Sequence, residues 1–207
     1  MRRLDFEGAA VLDIGPGRGE AMRYCLQRGA RHVTGIDFAA PAIEIARETL
    51  RPYPAERFTL VHDDVLLYLQ RTQSEQQLRH ILMLDVIEHI PRSEVDTILP
   101  MLFRLLVPGG TLVVHTPLFP EDDDVLVTGG KPVSRDDSDN FEQTRGMHIN
   151  RYSNESLGAA LAAAGFARWN DFIFVKPIAG RRVHRTRRAR FEWLSAKIGR
   201  WSGIWFG

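Results

Sequence analysis

The sequence predicts an α/β fold: a doubly wound, mostly parallel sheet with helices on both faces, built as a single domain. Three observations predict it. Short apolar runs alternate with helical patterns from Ala9 to Thr116. The first run, at 9–14, is nearly all apolar, as expected of a strand covered on both faces. Glycines and acids gather just after the runs, where an open parallel sheet places its ligands.

Taken in order, the strand at 9–14 runs through Val11-Leu12-Asp13-Ile14 into Gly15-Pro16-Gly17-Arg18-Gly19. Glycines let backbone N–H groups come close to a ligand, because no Cβ intervenes and positive φ is allowed. A helix over 19–28 follows, then a strand over 32–37 that ends in Asp37, with Phe38 next to it. An acid at that place can accept hydrogen bonds from both hydroxyls of a ribose, so the unit reads as a nucleoside site. Its spacing is G-x-G-x-G, whereas a dinucleotide fold uses G-x-G-x-x-G to seat a pyrophosphate on the helix N-terminus. Asp13 would repel a pyrophosphate and suits a ligand with a cationic or amino-bearing tail.

A helix is expected at 41–50, a third strand at 58–62 and a helix at 65–70. Between the last two stand Asp63-Asp64-Val65. An aspartate there can cap the helix or face a ligand. The fourth strand is expected at 81–85, leaving through Val86-Ile87-Glu88-His89-Ile90-Pro91 into a helix at 92–106. Pro108-Gly109-Gly110 stops that helix, since proline cannot continue the ladder and glycine caps it. A fifth strand at 110–116 carries His115. Further on, Ser153 is a natural N-cap, and Gly165 sits where that helix wants its C′ residue.

These strings, in this order, resemble the class I S-adenosylmethionine-dependent methyltransferases, whose fold is Rossmann-like. The string Asp85-Val86-Ile87-Glu88-His89-Ile90 is similar to a subgroup that includes ubiquinone-biosynthesis and sugar O-methyltransferases, and the similarity runs from about Ala9 to Phe174. The resemblance implies S-adenosyl-L-methionine as cofactor. Asp13, Gly15, Pro16, Gly17 and Gly19 would hold its methionine part, Asp37 its ribose with Phe38 alongside, and Asp64 with Val65 its adenine, Asp63 being one residue away. Asp85 would face cofactor or acceptor, with Glu88 and His89 at the rim. Transfer to an oxygen needs a base near the moment of reaction, and histidine suits that task. His148 comes first, in His148-Ile149-Asn150-Arg151-Tyr152-Ser153, then His89, then His115; each also reads as a rim or capping residue. The implied acceptor is a small molecule, a glycan or a lipid-linked intermediate.

With 207 residues, 44% of them hydrophobic, the chain can bury a sizeable core. No apolar run reaches the roughly 18 residues of a membrane span, and no stretch at the start suits a secretory signal, so a cytoplasmic protein is expected. The single cysteine, Cys25, excludes an internal disulfide and a cysteine metal cluster, and reads as a buried bystander. Charge is uneven. Residues 181–207 hold eight basic side chains against Glu192, a net +7, which leaves −6 on the rest of a chain whose total is +1.

The expected organisation is a cofactor-binding domain at 1–178 and a basic amphipathic tail at 179–207. Within the domain, the acidic connection 118–147 is expected to act as a lid over the cleft, and its carboxylates match no Ca²⁺ loop, so no metal is expected. In the tail, Phe191, Leu194, Ile198, Trp201 and Trp205 recur at helical spacing. Such a stripe can lie on a membrane surface through 185–206, dock on a partner protein, or close a homodimer. Only about eight residues precede the first strand, where family members usually carry helices over the acceptor site, and no final strand is evident after Phe174. The cap is therefore expected from 118–147, the tail or a partner. Three rivals stand beside the methyltransferase: a nucleic-acid methyltransferase gripping phosphates with its tail, a non-catalytic cofactor-binding subunit, and a nicotinamide oxidoreductase, which Asp13 disfavours.

Overall fold

The computed structural model describes residues 4–72, 78–117, 149–150, 152–168 and 173–175. The expected lid at 118–147, His148 and the tail at 179–207 lie outside them. Five strands run parallel: β1 (Ala10–Ile14), β2 (His32–Asp37), β3 (Phe58–His62), β4 (Leu78–Leu84) and β5 (Leu106–His115). Two short strands, β6 (Ala167–Arg168) and β7 (Ile173–Val175), complete the order β3-β2-β1-β4-β5-β7-β6, with β7 antiparallel to both neighbours. The order reverses between β1 and β4, and the crevice beyond the strand ends opens there.

Period-two alternation splits the strand side chains between two cores. Leu12, Ile14, Ile36, Ile81, Met83, Leu112 and Val114 pack against Ile98, Leu99 and Leu102 of α4 (Arg92–Leu105) and Leu157 and Leu161 of α5 (Asn154–Ala163). Val11, Val33, Leu82 and Val113 face the other way, onto Met22, Cys25 and Leu26 of α1 (Glu20–Gln27) and onto Phe6. Two more helices, α2 (Ala40–Leu50) and α3 (Val65–Arg71), complete the winding. At the start of α5, Ser153 and Ser156 exchange side-chain to backbone bonds at 3.1 Å, a reciprocal cap.

Three differences from the sequence reading exceed a single residue. First, β4 starts at Leu78 rather than at 81. Second, β5 starts at Leu106, so the Pro-Gly-Gly string lies inside a strand instead of ending before it. Leu106 pairs with Leu78, the register slips before His80 pairs with Thr111, and Gly109 takes up the slip at φ 79°. Third, β7 at Ile173–Val175 is a closing strand that the sequence reading did not place.

His80 explains part of the longer β4. Its buried ring meets Thr111 Oγ1 at 2.6 Å through Nδ1 and the Asp5 carbonyl at 2.6 Å through Nε2, with the Phe6 ring edge-on at 4.9 Å. The carbonyl can only accept, so Nε2 donates, and a neutral ring then accepts the threonine hydroxyl at Nδ1. Burial lowers the pKa of His80 below its ordinary 6.5. Below that value the unfolded chain binds more protons than the native one, so stability falls with falling pH. Denaturation midpoints should therefore be lower at about pH 5.5 than at about pH 7.5, and His80→Asn should flatten that difference.

Candidate functional site

The apolar β1 runs through the middle of the sheet and delivers Asp13, 1% exposed, between Gly35 of β2 and Leu82 of β4. The chain then turns through Gly15, Gly17 and Gly19 at φ 65°, 51° and 74°. A side chain in that conformation is strained by about 1–2 kcal/mol. The surroundings of the three glycines separate their tasks. A Cβ on Gly15 would stand 2.5 Å from Val86 Cγ2, and one on Gly19 would stand 3.0 Å from the Cα of Ala46, so these two let the loop pack on the β4 exit and on α2. A Cβ on Gly17 would meet nothing within 4 Å: this glycine borders open space.

Asp37 ends β2 and turns its carboxylate onto that loop. Oδ1 accepts from the Ala39 N–H at 2.9 Å and Oδ2 from the Gly17 N–H at 3.3 Å. Phe38 is exposed beside it, and His62 Nε2 lies 3.0 Å from its carbonyl. At the end of β3, Asp64 caps α3, its Oδ1 accepting from the Leu66 and Leu67 N–H groups at 2.8 and 3.2 Å. Asp63 accepts the Asp64 N–H at 2.9 Å and pairs with Arg71, so it serves the same helix. Asp64, with Val65 half-buried after it, thus gives one carboxylate oxygen to the start of α3. The cap itself is expected to contribute about 1 kcal/mol, lost in Asp64→Ala and measurable by urea denaturation.

The exits of β4 and β5 carry a feature that no spacing in the sequence announces. Asp85 has φ 56°, the one non-glycine residue of positive φ among the described residues. Its N–H donates to the His115 carbonyl at 2.9 Å, and its Oδ1 lies 2.5 Å from His115 Nδ1. That hydrogen bond raises the imidazole pKa; burial opposes it, and the charges of Asp85 and Glu88 add to the rise. The available signal was that each residue ends a neighbouring strand, but reading it requires knowing that β4 and β5 are neighbours.

Glu88 is buried in the turn Ile87–His89, and its carbonyl accepts from the Ile149 and Asn150 N–H groups at 2.8 and 3.0 Å. Asn150 Nδ2 also donates to the Ile90 carbonyl. The chain is thus latched to the β4 exit where it re-enters the described structure. His89 is half-buried in the same turn, with its N–H on the Val86 carbonyl at 2.8 Å.

Register relates the pieces to one another. Ile36, Ile14, Met83 and Val114 form one row across β2, β1, β4 and β5. Asp37 and His115, each one residue further on, lie on the α1 side of the sheet three strand spacings apart, roughly 14 Å. Asp13 shares that side of the sheet, two rows below them. The crevice is therefore carboxylate-rich at its floor and rim, which favours a cationic ligand over a pyrophosphate.

The residues present fit a nucleoside with a positively charged tail: open space over Gly17, a ribose-level carboxylate, and a buried acid behind the loop. A separate cavity of about 520 Å³, lined by Ala10, Arg31, His32, Glu56, Thr59 and Tyr68 among others, lies toward the opposite ends of the strands and holds none of these residues. Cys25 is fully buried in α1, its thiol pushed far above the ordinary range by burial and then by the charge of Asp13, which keeps it unreactive. Among the described residues no group of three or more His, Cys, Asp or Glu is placed to hold a metal ion.

Comparison with known proteins bears on the same region. Residues 1–170 match a family profile described as a methyltransferase domain. Ribosomal protein L11 methyltransferase of Shewanella piezotolerans is 31% identical over 122 residues, 59% of this chain and 38% of that protein. Ubiquinone biosynthesis O-methyltransferase of Xanthomonas oryzae pv. oryzae is 32% identical over 114 residues, 55% of this chain and 45% of that protein. The chain thus aligns with less than half the length of either. A solved structure, Burkholderia thailandensis 1,6-didemethyltoxoflavin-N1-methyltransferase with bound 1,6-didemethyltoxoflavin and S-adenosylhomocysteine, superposes with TM-score 0.62 at 19% identity, covering 83% of this chain and 72% of that one. At that identity the likeness is one of fold.

Proposed function

The chain belongs to the methyltransferase-domain family, whose cofactor is S-adenosyl-L-methionine, and from that premise we propose that this protein methylates an oxygen of a small molecule, a glycan or a lipid-linked intermediate. The observation that supports the cofactor part of this reading is the Asp37 carboxylate held against the Gly17 N–H, beside the open space over that glycine. The similarity to the Xanthomonas ubiquinone biosynthesis O-methyltransferase supports oxygen as the acceptor atom.

When bound, the cofactor supplies a methyl group already activated on a sulfonium, so the protein has mainly to align donor and acceptor and exclude water. In this reading Asp37 accepts the ribose hydroxyls, and Asp64 with Val65 and Phe38 frames the adenine. Gly15, Pro16, Gly17 and Gly19 line the methionine part, where the buried charge of Asp13 favours a cation. An acceptor hydroxyl gives up its proton to a histidine, with His115, His89 and His148 as the candidates. The proposal keeps 1–178 as the working domain, 118–147 as its cover and 179–207 as a basic tail for a lipid surface, a partner protein or a second copy. No helix among the described residues is long and apolar enough to cross a membrane.

The test is transfer of label from methyl-tritiated S-adenosylmethionine by the full chain to four probes: a catechol, a monosaccharide, quinol-bearing vesicles and RNA. Label is expected in one of the first three. Label in RNA alone, falling steeply with added salt, would instead favour the nucleic-acid reading that the net +7 of residues 181–207 suggests.

A further inference from the structure

We propose that His115 is the group that takes the acceptor's proton and that Asp85 is its positioning residue, which commits the acceptor to a hydroxyl. The inference rests on the methyltransferase reading above. The two residues hold each other twice, once through the Asp85 N–H on the His115 carbonyl at 2.9 Å and once through the ring at 2.5 Å. With Nδ1–H given to the carboxylate, a neutral ring keeps its lone pair on Nε2, the tautomer a base needs. A carboxylate that fixes an imidazole in this way also stabilises the imidazolium once the proton arrives.

A purely structural reading of the pair fails on magnitude. The Asp85 side chain is 52% exposed, and an ion pair in that setting contributes little to stability. Asp85 sits at φ 56°, a positive φ that aspartate adopts more readily than most residues. The turn sets its side chain in one place, against the His115 ring. That place is the mouth of the crevice. His115 stands at the level of Asp37, on the same side of the sheet and across the glycine loop from it.

In the step proposed, the acceptor's O–H bond breaks and its proton moves to His115 Nε2. The oxygen's electron pair forms the new bond to the methyl carbon, and the pair of the broken C–S bond stays on sulfur. The positive charge lost from the sulfonium reappears on the imidazolium, next to Asp85. An amine acceptor, already nucleophilic in its neutral form, would not need the pair.

Two carboxylates act on the ring, Asp85 from the β4 exit and Glu88 from the turn that follows, and both favour its charged form while burial opposes them. The base form is therefore populated above the ordinary histidine value of 6.5, and turnover should rise with pH through a midpoint above it.

The test begins with NMR titration of the His115 ring in the full chain and in Asp85→Asn, a change that keeps a residue tolerant of left-handed φ. The expected result is the Nδ1–H tautomer and a pKa above 6.5 in the wild type, falling in the variant. With 3,4-dihydroxybenzoate as the probe hydroxyl, the acid limb of kcat/KM should move to lower pH in Asp85→Asn. His115→Gln should lower kcat by about 10²–10⁴-fold, while calorimetric binding of S-adenosylhomocysteine stays at the wild-type level. A ring that titrates at its ordinary value in both chains, or a His115→Gln chain that turns over normally, overturns the assignment. Binding of S-adenosylhomocysteine with methylation of 4-aminobenzoate but not of the catechol overturns the hydroxyl acceptor and leaves the cofactor reading intact. Loss of that binding in the wild type itself overturns the reading beneath.

Discussion

Replacing Asp37 by alanine is expected to weaken S-adenosylhomocysteine binding by about 10²–10⁴-fold, because it removes two charge-assisted hydrogen bonds of about 1.5–3 kcal/mol each. The carboxylate is 9% exposed, and the Gly17 and Ala39 N–H groups already hold it in place. Its orientation is thus set before a ligand arrives, and little ordering cost offsets the bonds it offers. Folding should suffer far less than binding, since both N–H donors lie at the mouth of the crevice, where water can replace the carboxylate. Calorimetry for binding and thermal unfolding for stability separate the two effects. Asp37→Asn should fall between wild type and alanine, because it keeps the shape and loses the charge.

The second large effect is a contrast between two glycines of one loop. Gly15→Ala places a methyl 2.5 Å from Val86 Cγ2, and a β-branched side chain has little rotamer freedom with which to yield. Overpacking of about 1–3 kcal/mol adds to backbone strain of about 1–2 kcal/mol, so the chain should lose about 2–5 kcal/mol of stability. Gly17→Ala bears only the strain, since nothing lies within 4 Å of its Cβ position. Its methyl enters the open space beside Asp37, so binding rather than folding should fail, by about 10–100-fold through displacement of the ligand from the loop. Urea denaturation and calorimetry on both variants would show the two losses on opposite readouts. A Gly17→Ala chain that binds like wild type would mean that the ligand does not pass over this glycine.

Much of the architecture was legible because local pattern and tertiary outcome agreed. The strands at 32–37 and 58–62 lie where alternation and polar breaks put them, and Gly15, Gly17 and Gly19 all adopt the positive φ that their spacing implied. What the sequence concealed was non-local. The expected fourth strand began at 81 rather than at Leu78, and nothing in Leu78-Arg79-His80 reveals that Thr111 and Asp5 satisfy the imidazole. A Pro-Gly-Gly string reads as a turn by local chemistry, and only the slip between β4 and β5 shows it acting as an irregularity within a strand.

The site followed the same rule. Asp63 and Asp64 are equivalent as letters, and the partner that separates them, Arg71, stands at the far end of α3. Asp85 and His115 are 30 residues apart in the chain, so their pairing becomes visible only when β4 and β5 are known to be neighbours. The latch of Ile149 and Asn150 on Glu88 runs through a backbone carbonyl, which no residue identity advertises.

The measurement that bears most directly on the central claim is calorimetric titration of the purified full chain with S-adenosylhomocysteine, set beside NAD. The account predicts micromolar binding of the first and none of the second. No heat with S-adenosylhomocysteine, or binding of NAD as tight or tighter, would contradict the assignment of the glycine loop, Asp13 and Asp37 to this cofactor.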